Sequence, residues 1–303
     1  LESEELDYIK DKALDFHKTQ VLKDAILRSA QILEVDGDVE QIKSIVDDAM
    51  KAGAERDIGH DYLEDFEERY SETARITAPT PWDLINELMQ GGLGAGELGV
   101  VVAPAGIGKS WVLSALGAYA ISKGKNIVHY TLELNEAYVG LRYDSIFSGV
   151  ENQNLKYHKE EIQEKIFDLD GKLTIKYYPT KACTVNTLGA HLKKVTSFGT
   201  DIDMVLVDYA DIMRDVNKTT EMRHALGNIY EDLRGLAGEL QVPIWTASQA
   251  NRSALDEDVI EATKVAESYA KVMTADFVMS LSRKIEDKIG NTGRFHVIKN
   301  IIH

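Results

Sequence analysis

Cysteine is nearly missing. Cys183 is the single one in 303 residues, which excludes a disulfide framework or a cysteine metal site and fits a reducing compartment. Positive charge is also short, with 34 Lys and Arg against 50 Asp and Glu and a formal net charge of −16. A strongly basic nucleic-acid binder reads the other way, so any contact with nucleic acid must be a local patch or loop within an assembly. No apolar run approaches the roughly 20 residues of a membrane-spanning helix, and no basic-then-apolar leader opens the chain. A cytoplasmic protein is expected. The start at Leu1 rather than Met reads as a piece of a longer protein. His129, His191 and His224 stand alone, without HExxH or other metal-ligand spacing, and read as structural or surface residues. No Gly-x-Ser-x-Gly elbow is found, so a serine hydrolase has no support.

What remains is an ordinary globular composition, 44% hydrophobic and 28% charged, long enough for one large α/β domain and a smaller appendage. The charge is uneven: residues 1–77 carry 21 acids and 10 bases, against 29 and 24 in residues 78–303. In the first part Leu14, Val21, Leu22, Ala25 and Ile26 recur at helical spacing, as do Ile42, Ile45, Val46 and Met50. Gly37 and the stretch from Gly53 to Gly59 interrupt them, and Pro79 and Pro81 mark a boundary. Residues 1–77 therefore read as a helical linker and docking segment, and residues 78–303 as the main domain.

There, short apolar runs alternate with amphipathic stretches. Strands are expected at 97–103, 126–131, 173–178, 203–208, 242–248, 276–282 and 294–299. Helices are expected at 109–123, 136–148, 158–168, 184–197, 219–240 and 259–274; Met222, Leu226, Ile229, Leu233, Leu236 and Leu240 form one stripe in the fifth. Strands apolar throughout belong in a buried parallel sheet, and their alternation with helices predicts a doubly wound α/β architecture.

Residues 103–110 read Ala-Pro-Ala-Gly-Ile-Gly-Lys-Ser, between an apolar strand and an amphipathic helix. The tail Gly106-Ile107-Gly108-Lys109-Ser110 is the working half of a Walker A loop, although Ala103 stands at its first position in place of Gly. Glycines let backbone N–H groups turn toward a phosphate, and the helix N-terminus adds positive partial charge. Lys109 can reach the outer phosphates, and the Ser110 hydroxyl can ligate Mg²⁺. The nucleotide-binding set is thus Ala105, Gly106, Ile107, Gly108, Lys109, Ser110 and Trp111, with ATP and Mg²⁺ as the expected ligands. Asp208 closes Met204-Val205-Leu206-Val207-Asp208, a Walker B pattern whose carboxylate can join the Mg²⁺ shell. Glu133 follows the strand after the phosphate-loop helix, placed to orient and deprotonate an attacking water. Gln249 ends another strand, where a neutral amide can hydrogen-bond a terminal phosphate.

Together these runs resemble the RecA-like motor domain of DnaB-type replicative helicases, phage versions especially. The matching stretches are Gly91-Gly92-Leu93 with Gly96-Glu97-Leu98, the phosphate loop, Thr131-Leu132-Glu133-Leu134, Val207-Asp208-Tyr209 with Ile212-Met213-Arg214, Leu233-Arg234-Gly235-Leu236-Ala237, and Val242-Pro243-Ile244 through Ser248-Gln249-Ala250-Asn251-Arg252-Ser253. The resemblance spans about residues 78–300, and residues 6–56 look like the family's linker. It implies a homo-oligomer, a hexameric ring that hydrolyses ATP between subunits and moves on single-stranded DNA, with primase and a helicase loader as partners. By the same resemblance Glu133 is the catalytic base, Asp208 the magnesium acid and Gln249 the phosphate sensor. DNA-facing loops fall near 214–222 and 251–264, with Arg214, Lys218 and Arg252 as DNA-binding cations and Arg223 and Lys264 nearby. One departure stands out. The family's last strand leads into Lys-x-Arg, which reaches the neighbour's ATP site; here Lys299 and Asn300 fit but Ile301 replaces the arginine. Lys299 is the candidate in-trans cation. Two other functions share the loop, a RecA-like recombinase or recombination mediator and a non-catalytic nucleotide-binding loader subunit. The Thr-Leu-Glu-Leu and Ser-Gln-x-Asn-Arg runs favour the helicase, and Ile301 is the best support for the loader.

Overall fold

The computed structural model describes residues 75–302 apart from 218, 252–253, 255–256, 258 and 262–269, together with 19–30, 32, 42, 45–46, 49, 62–63 and 66–67. The chain divides into two compact units, Leu1–Ala74 and Arg75–His303. In the first, residues 19–30 are helical, with Ala25 and Ser29 buried and the Ser29 hydroxyl donating to the Ala25 carbonyl at 2.8 Å. Leu22, Ile26 and Leu27 of that helix are exposed. Ile42, Ile45 and Val46 are helical and half-buried. The expectations at Leu14, Gly37, Met50 and Gly53 to Gly59 lie outside the described residues.

The second unit is built on a seven-stranded sheet. Its strands are β3 (Leu98–Ala103), β4 (Ile127–Thr131), β5 (Leu173–Tyr177), β6 (Met204–Asp208), β7 (Ile244–Gln249), β8 (Phe277–Ser282) and β9 (Arg294–Asn300); β1 (Thr77–Ala78) and β2 (Leu93–Gly94) form a separate ribbon. The order is β5-β4-β6-β7-β3-β8-β9, parallel except for β9, which runs antiparallel to β8. The helices are α1 (Asp83–Leu88), α2 (Lys109–Ser122), α3 (Glu136–Ser148), α4 (Lys159–Phe167), α5 (Val185–Ser197), α6 (Met222–Leu240), α7 (Ala270–Thr274) and α8 (Ile285–Ile289). Every strand expected from the sequence forms. The helix expected at 259–274 is shorter: 259–261 are not helical, and the described helix is α7.

The central strands are buried along nearly their whole length because each face has its own core. Val100 and Val102 turn to one side with Val128, Val205 and Ile244, under Leu188 and Leu192 of α5 and Ile229, Leu233 and Leu236 of α6. Val101 and Ala103 turn to the other with Leu206, Trp245 and Phe277, under Leu113, Leu116 and Ile121 of α2 and Val139 and Tyr143 of α3. This is the doubly wound, RecA-like layering. A residue larger than Gly99 could not lie beside Trp245, since a Cβ there would come within 2.5 Å of the indole. Among the described residues no helix is long and apolar enough to cross a membrane.

Candidate active site

Four strands end at one edge of the sheet, and each delivers a polar group there. β3 runs into the loop 103–110 and then into α2. Gly106 and Gly108 hold φ of +76° and +122°, conformations that a side chain disfavours. Gly108 is the N-cap of α2 and supplies no side-chain cap, and the first turn of α2 holds no acid. The helix therefore presents its N-terminus and partial positive charge to the loop. Lys109 Nζ donates to the carbonyls of Ala103 at 3.1 Å and Pro104 at 3.2 Å and lies 5.8 Å from the centre of the Tyr209 ring. Burial lowers its pKa, opposed by the negative charges of Asp211, Asp208 and Glu133.

Behind the loop, Ser110 Oγ donates to Asp208 Oδ1 at 3.1 Å. Asp208 is 1% exposed at the end of β6. Burial raises its pKa, opposed by the Ser110 hydrogen bond and then by Arg142. Arg142 Nη1 stands 3.9 Å from Asp208 Oδ2, with its guanidinium 5.6 Å from the Trp111 ring centre. That Nη1 is buried and makes no hydrogen bond. A buried charged donor without a hydrogen bond is costly, so its position beside the loop suits an anionic ligand.

Glu133 follows β4 and is exposed. With Ala105, Gly106, Gly108, Lys109, Ser110, Trp111, Arg142, Tyr209 and Gln249 it lines a cavity of about 330 Å³. Gln249 closes β7 in register with Ala103, and its backbone N–H donates to Asp211 Oδ2 at 3.0 Å. Among the described residues no cluster of three His, Cys, Asp or Glu side chains could hold a metal. One hydroxyl beside one carboxylate is the donor set that suits Mg²⁺, which keeps waters and takes the rest of its shell from phosphate.

Thus the structure brings Ala105, Gly106, Gly108, Lys109, Ser110, Trp111, Glu133 and Gln249 to one cavity, with Asp208 directly behind Ser110. Ile107 differs: its side chain is 4% exposed and packs into the core under α2. Lys299 lies on β9 away from this cavity, and its Nζ donates to the Met273 carbonyl. Arg214 is exposed after the Ala210–Ile212 turn, whereas Lys218, Arg252 and Lys264 lie outside the described residues. Sequence reasoning missed Arg142 and Asp211. A signal for Arg142 was present, because it falls at helical spacing within the stripe Val139, Tyr143 and Ile146 that packs on the sheet.

Residues 79–300 match the family model described as the DnaB-like helicase C terminal domain. The chain is 28% identical over 262 residues to the DnaB-like replicative helicase of Enterobacteria phage T4, covering 80% of this chain and 54% of that protein. It is 22% identical over 172 residues to the replicative DNA helicase DnaB of Helicobacter pylori strain 26695, covering 55% of this chain and 35% of that protein. The chain thus spans about half the length of the phage relative and about a third of the bacterial one. Among solved structures it is similar to an ATPase domain, with TM-score 0.65 and 16% identity over 78% of this chain and 88% of that one. It is also similar to a DnaB-like replicative helicase solved with attention to its interactions with primase, with TM-score 0.65 and 14% identity over 96% of this chain and 73% of that one.

Proposed function

The chain belongs to the DnaB-like helicase C-terminal domain family, and from that premise we propose that it is the ATP-dependent motor of a replicative DNA helicase. The observation that carries the reading is the convergence of Lys109, Ser110, Asp208, Glu133 and Gln249 at one edge of the sheet, about one cavity.

In this reading the glycine loop and the N-terminus of α2 bind the outer phosphates of ATP, and Lys109 neutralises them. Ser110 and Asp208 would hold Mg²⁺, which would supply positive charge against the phosphates. Glu133 takes the proton of the attacking water, and Gln249 donates its amide to the terminal phosphate. Arg142, whose Nη1 stands beside Asp208 without a hydrogen bond, adds charge against the same phosphates. The site is open on one side, and Lys299 of a neighbouring copy is the candidate cation to complete it. The assembly is a homo-oligomer, a hexameric ring around single-stranded DNA, with Arg214, Lys218 and Arg252 on the DNA-facing segments and residues 1–77 docking on the neighbour. Exposed Leu22, Ile26 and Leu27 on helix 19–30 support that docking role. Primase and a helicase loader are the proposed partners.

Strand displacement on forked DNA tests the reading. ATP-dependent displacement, lost in Lys109→Ala, is expected. ATP hydrolysis with filaments rather than rings in electron micrographs would favour a recombinase instead.

A further inference from the structure

The turn that carries Glu133 is held by two hydroxyls that do not line the nucleotide cavity. Thr131 closes β4 and is 0% exposed. Its Oγ1 donates to the Leu134 carbonyl at 2.7 Å and accepts the Leu134 N–H at 3.2 Å. One hydroxyl, with its single proton and its lone pairs, thus grips both main-chain groups of the residue that follows Glu133. A second tether comes from the loop after β5, where the Thr180 hydroxyl donates to the Leu132 carbonyl at 3.2 Å. The Leu132 N–H donates to the Asp208 carbonyl at 2.8 Å. Glu133 is therefore bracketed by residues whose backbone is fixed on both sides.

Packing defines the same bend. Leu132 lies in the core under α5 and α6, and Leu134 packs against the core under α2 and α3. The chain crosses from one face of the sheet to the other at Glu133, whose side chain is left exposed. An exposed carboxylate takes its place over the cavity from the backbone that carries it. Valine would fill the space of Thr131 and suits a strand as well, so what the hydroxyl adds is its hold on the turn. The device recurs on β7. Thr246, also 0% exposed, donates to the Val207 carbonyl at 2.8 Å and accepts the Ala210 N–H at 3.1 Å, so its hydroxyl brackets Asp208.

We propose that Thr131 is a positioning residue for Glu133, with Thr180 as the second tether of the same turn. The inference rests on the reading of Glu133 as the base. A turn released from Thr131 still carries the carboxylate, but over a wider range of positions, and a misplacement of about 1 Å can cost roughly 100-fold in rate. The phosphate contacts of the 103–110 loop are untouched, so the loss falls on turnover and not on binding.

The experiment measures kcat and the Kd of a non-hydrolysable ATP analogue on the full chain and its variants. Thr131→Val should lower kcat roughly 10- to 100-fold, with the analogue Kd within about threefold of the parent. Thr131→Ser keeps the hydroxyl and should recover most of kcat. Thr180→Val alters an exposed side chain, so it folds even where Thr131→Val does not. It should lower kcat roughly 2- to 10-fold, the span of one neutral hydrogen bond. In Thr131→Val/Glu133→Gln the Thr131 effect should vanish, because a residue that acts through Glu133 then has no base to place. A merely structural threonine would lower the melting temperature and leave kcat intact, and that result in Thr131→Val overturns the proposal. So does a Thr131→Ser no better than Thr131→Val, a Thr131 effect undiminished beside Glu133→Gln, or, where Thr131→Val does not fold, a parental kcat in Thr180→Val. Parental turnover in Glu133→Gln alone overturns the reading of the base instead.

Discussion

Ser110 and Asp208, 98 residues apart in sequence, meet through a hydrogen bond of 3.1 Å from hydroxyl to carboxylate. The contact follows from sheet order. β6 lies two strands from β3, with β7 between them, so the carboxyl end of one points at the helix that follows the other. A buried acid at this point works against stability and in favour of cation binding, and the first prediction separates the two.

Burial raises the Asp208 pKa, outweighing the hydrogen bond from Ser110 and the charge of Arg142. A carboxyl whose folded pKa lies above its unfolded one binds its proton more tightly in the native state, so the group's contribution to stability falls as pH rises through that interval. Asp208→Asn keeps an acceptor for Ser110 and removes the charge. It should melt roughly 2–4 °C higher at pH 7, for a gain of about 1 kcal/mol, while ATPase falls at least about 100-fold as the Mg²⁺ ligand is lost. Scanning calorimetry and a phosphate-release assay check both. A lower melting temperature would contradict the burial argument.

Lys109 and Arg142 should fail in different ways. Lys109→Ala removes the cation that faces the outer phosphates, and analogue binding should weaken roughly 10- to 100-fold, as charged hydrogen bonds of about 1.5–3 kcal/mol imply. Arg142→Met also leaves Asp208 without its nearest cation, so in addition it should raise the pH at which the protein gains Mg²⁺-dependent activity. Titration with a fluorescent ATP analogue and a pH–rate profile distinguish the two. An unshifted profile in Arg142→Met would remove the arginine from the site.

Much of this was legible beforehand, and the reasons are local. The strands were readable because the central ones carry short, largely apolar runs between helical stretches, as in Met204-Val205-Leu206-Val207. Lys109 and Ser110 were readable from the glycine loop that precedes them, and Asp208, Glu133 and Gln249 from their places at strand ends. The β1–β2 ribbon and α1 escaped because two-residue strands and a six-residue helix carry no period. Arg142 and Asp211 escaped because their significance lies in the groups around them, and those neighbours come from tertiary packing. Arg142 reads as one more polar residue on a helix until α3 is laid on the sheet, with Val139 and Tyr143 beside it in the core.

The in-trans reading of Lys299 predicts complementation. Lys299→Ala and Lys109→Ala should each lose most ATPase alone. Mixed, they form interfaces in which one subunit supplies an intact phosphate loop and its neighbour an intact Lys299. Activity should then return toward the fraction of such interfaces in the mixture. Full activity in Lys299→Ala by itself would leave this lysine as a strand residue bonded to the Met273 carbonyl.

DNA binding should depend on assembly and on salt. A subunit with net charge −16 has few cations to offer, and multivalency around a channel supplies the affinity. Fluorescence anisotropy with oligo-dT should show affinity falling steeply from about 50 to about 200 mM salt, as counterion release requires. Tight, salt-insensitive binding by a monomer would contradict the ring.

The most direct test of the central claim is the ATPase of Glu133→Gln beside its affinity for ATP. Glu133 is exposed on the cavity wall that Lys109, Ser110 and Gln249 share, and glutamine keeps its shape while removing its basicity. The account predicts that ATP still binds within about threefold of the parent while turnover falls roughly 10²- to 10⁴-fold, the usual worth of a general base. Turnover at the parent's rate would show that Glu133 is not the base and that the strand-end acids do not form a hydrolytic site.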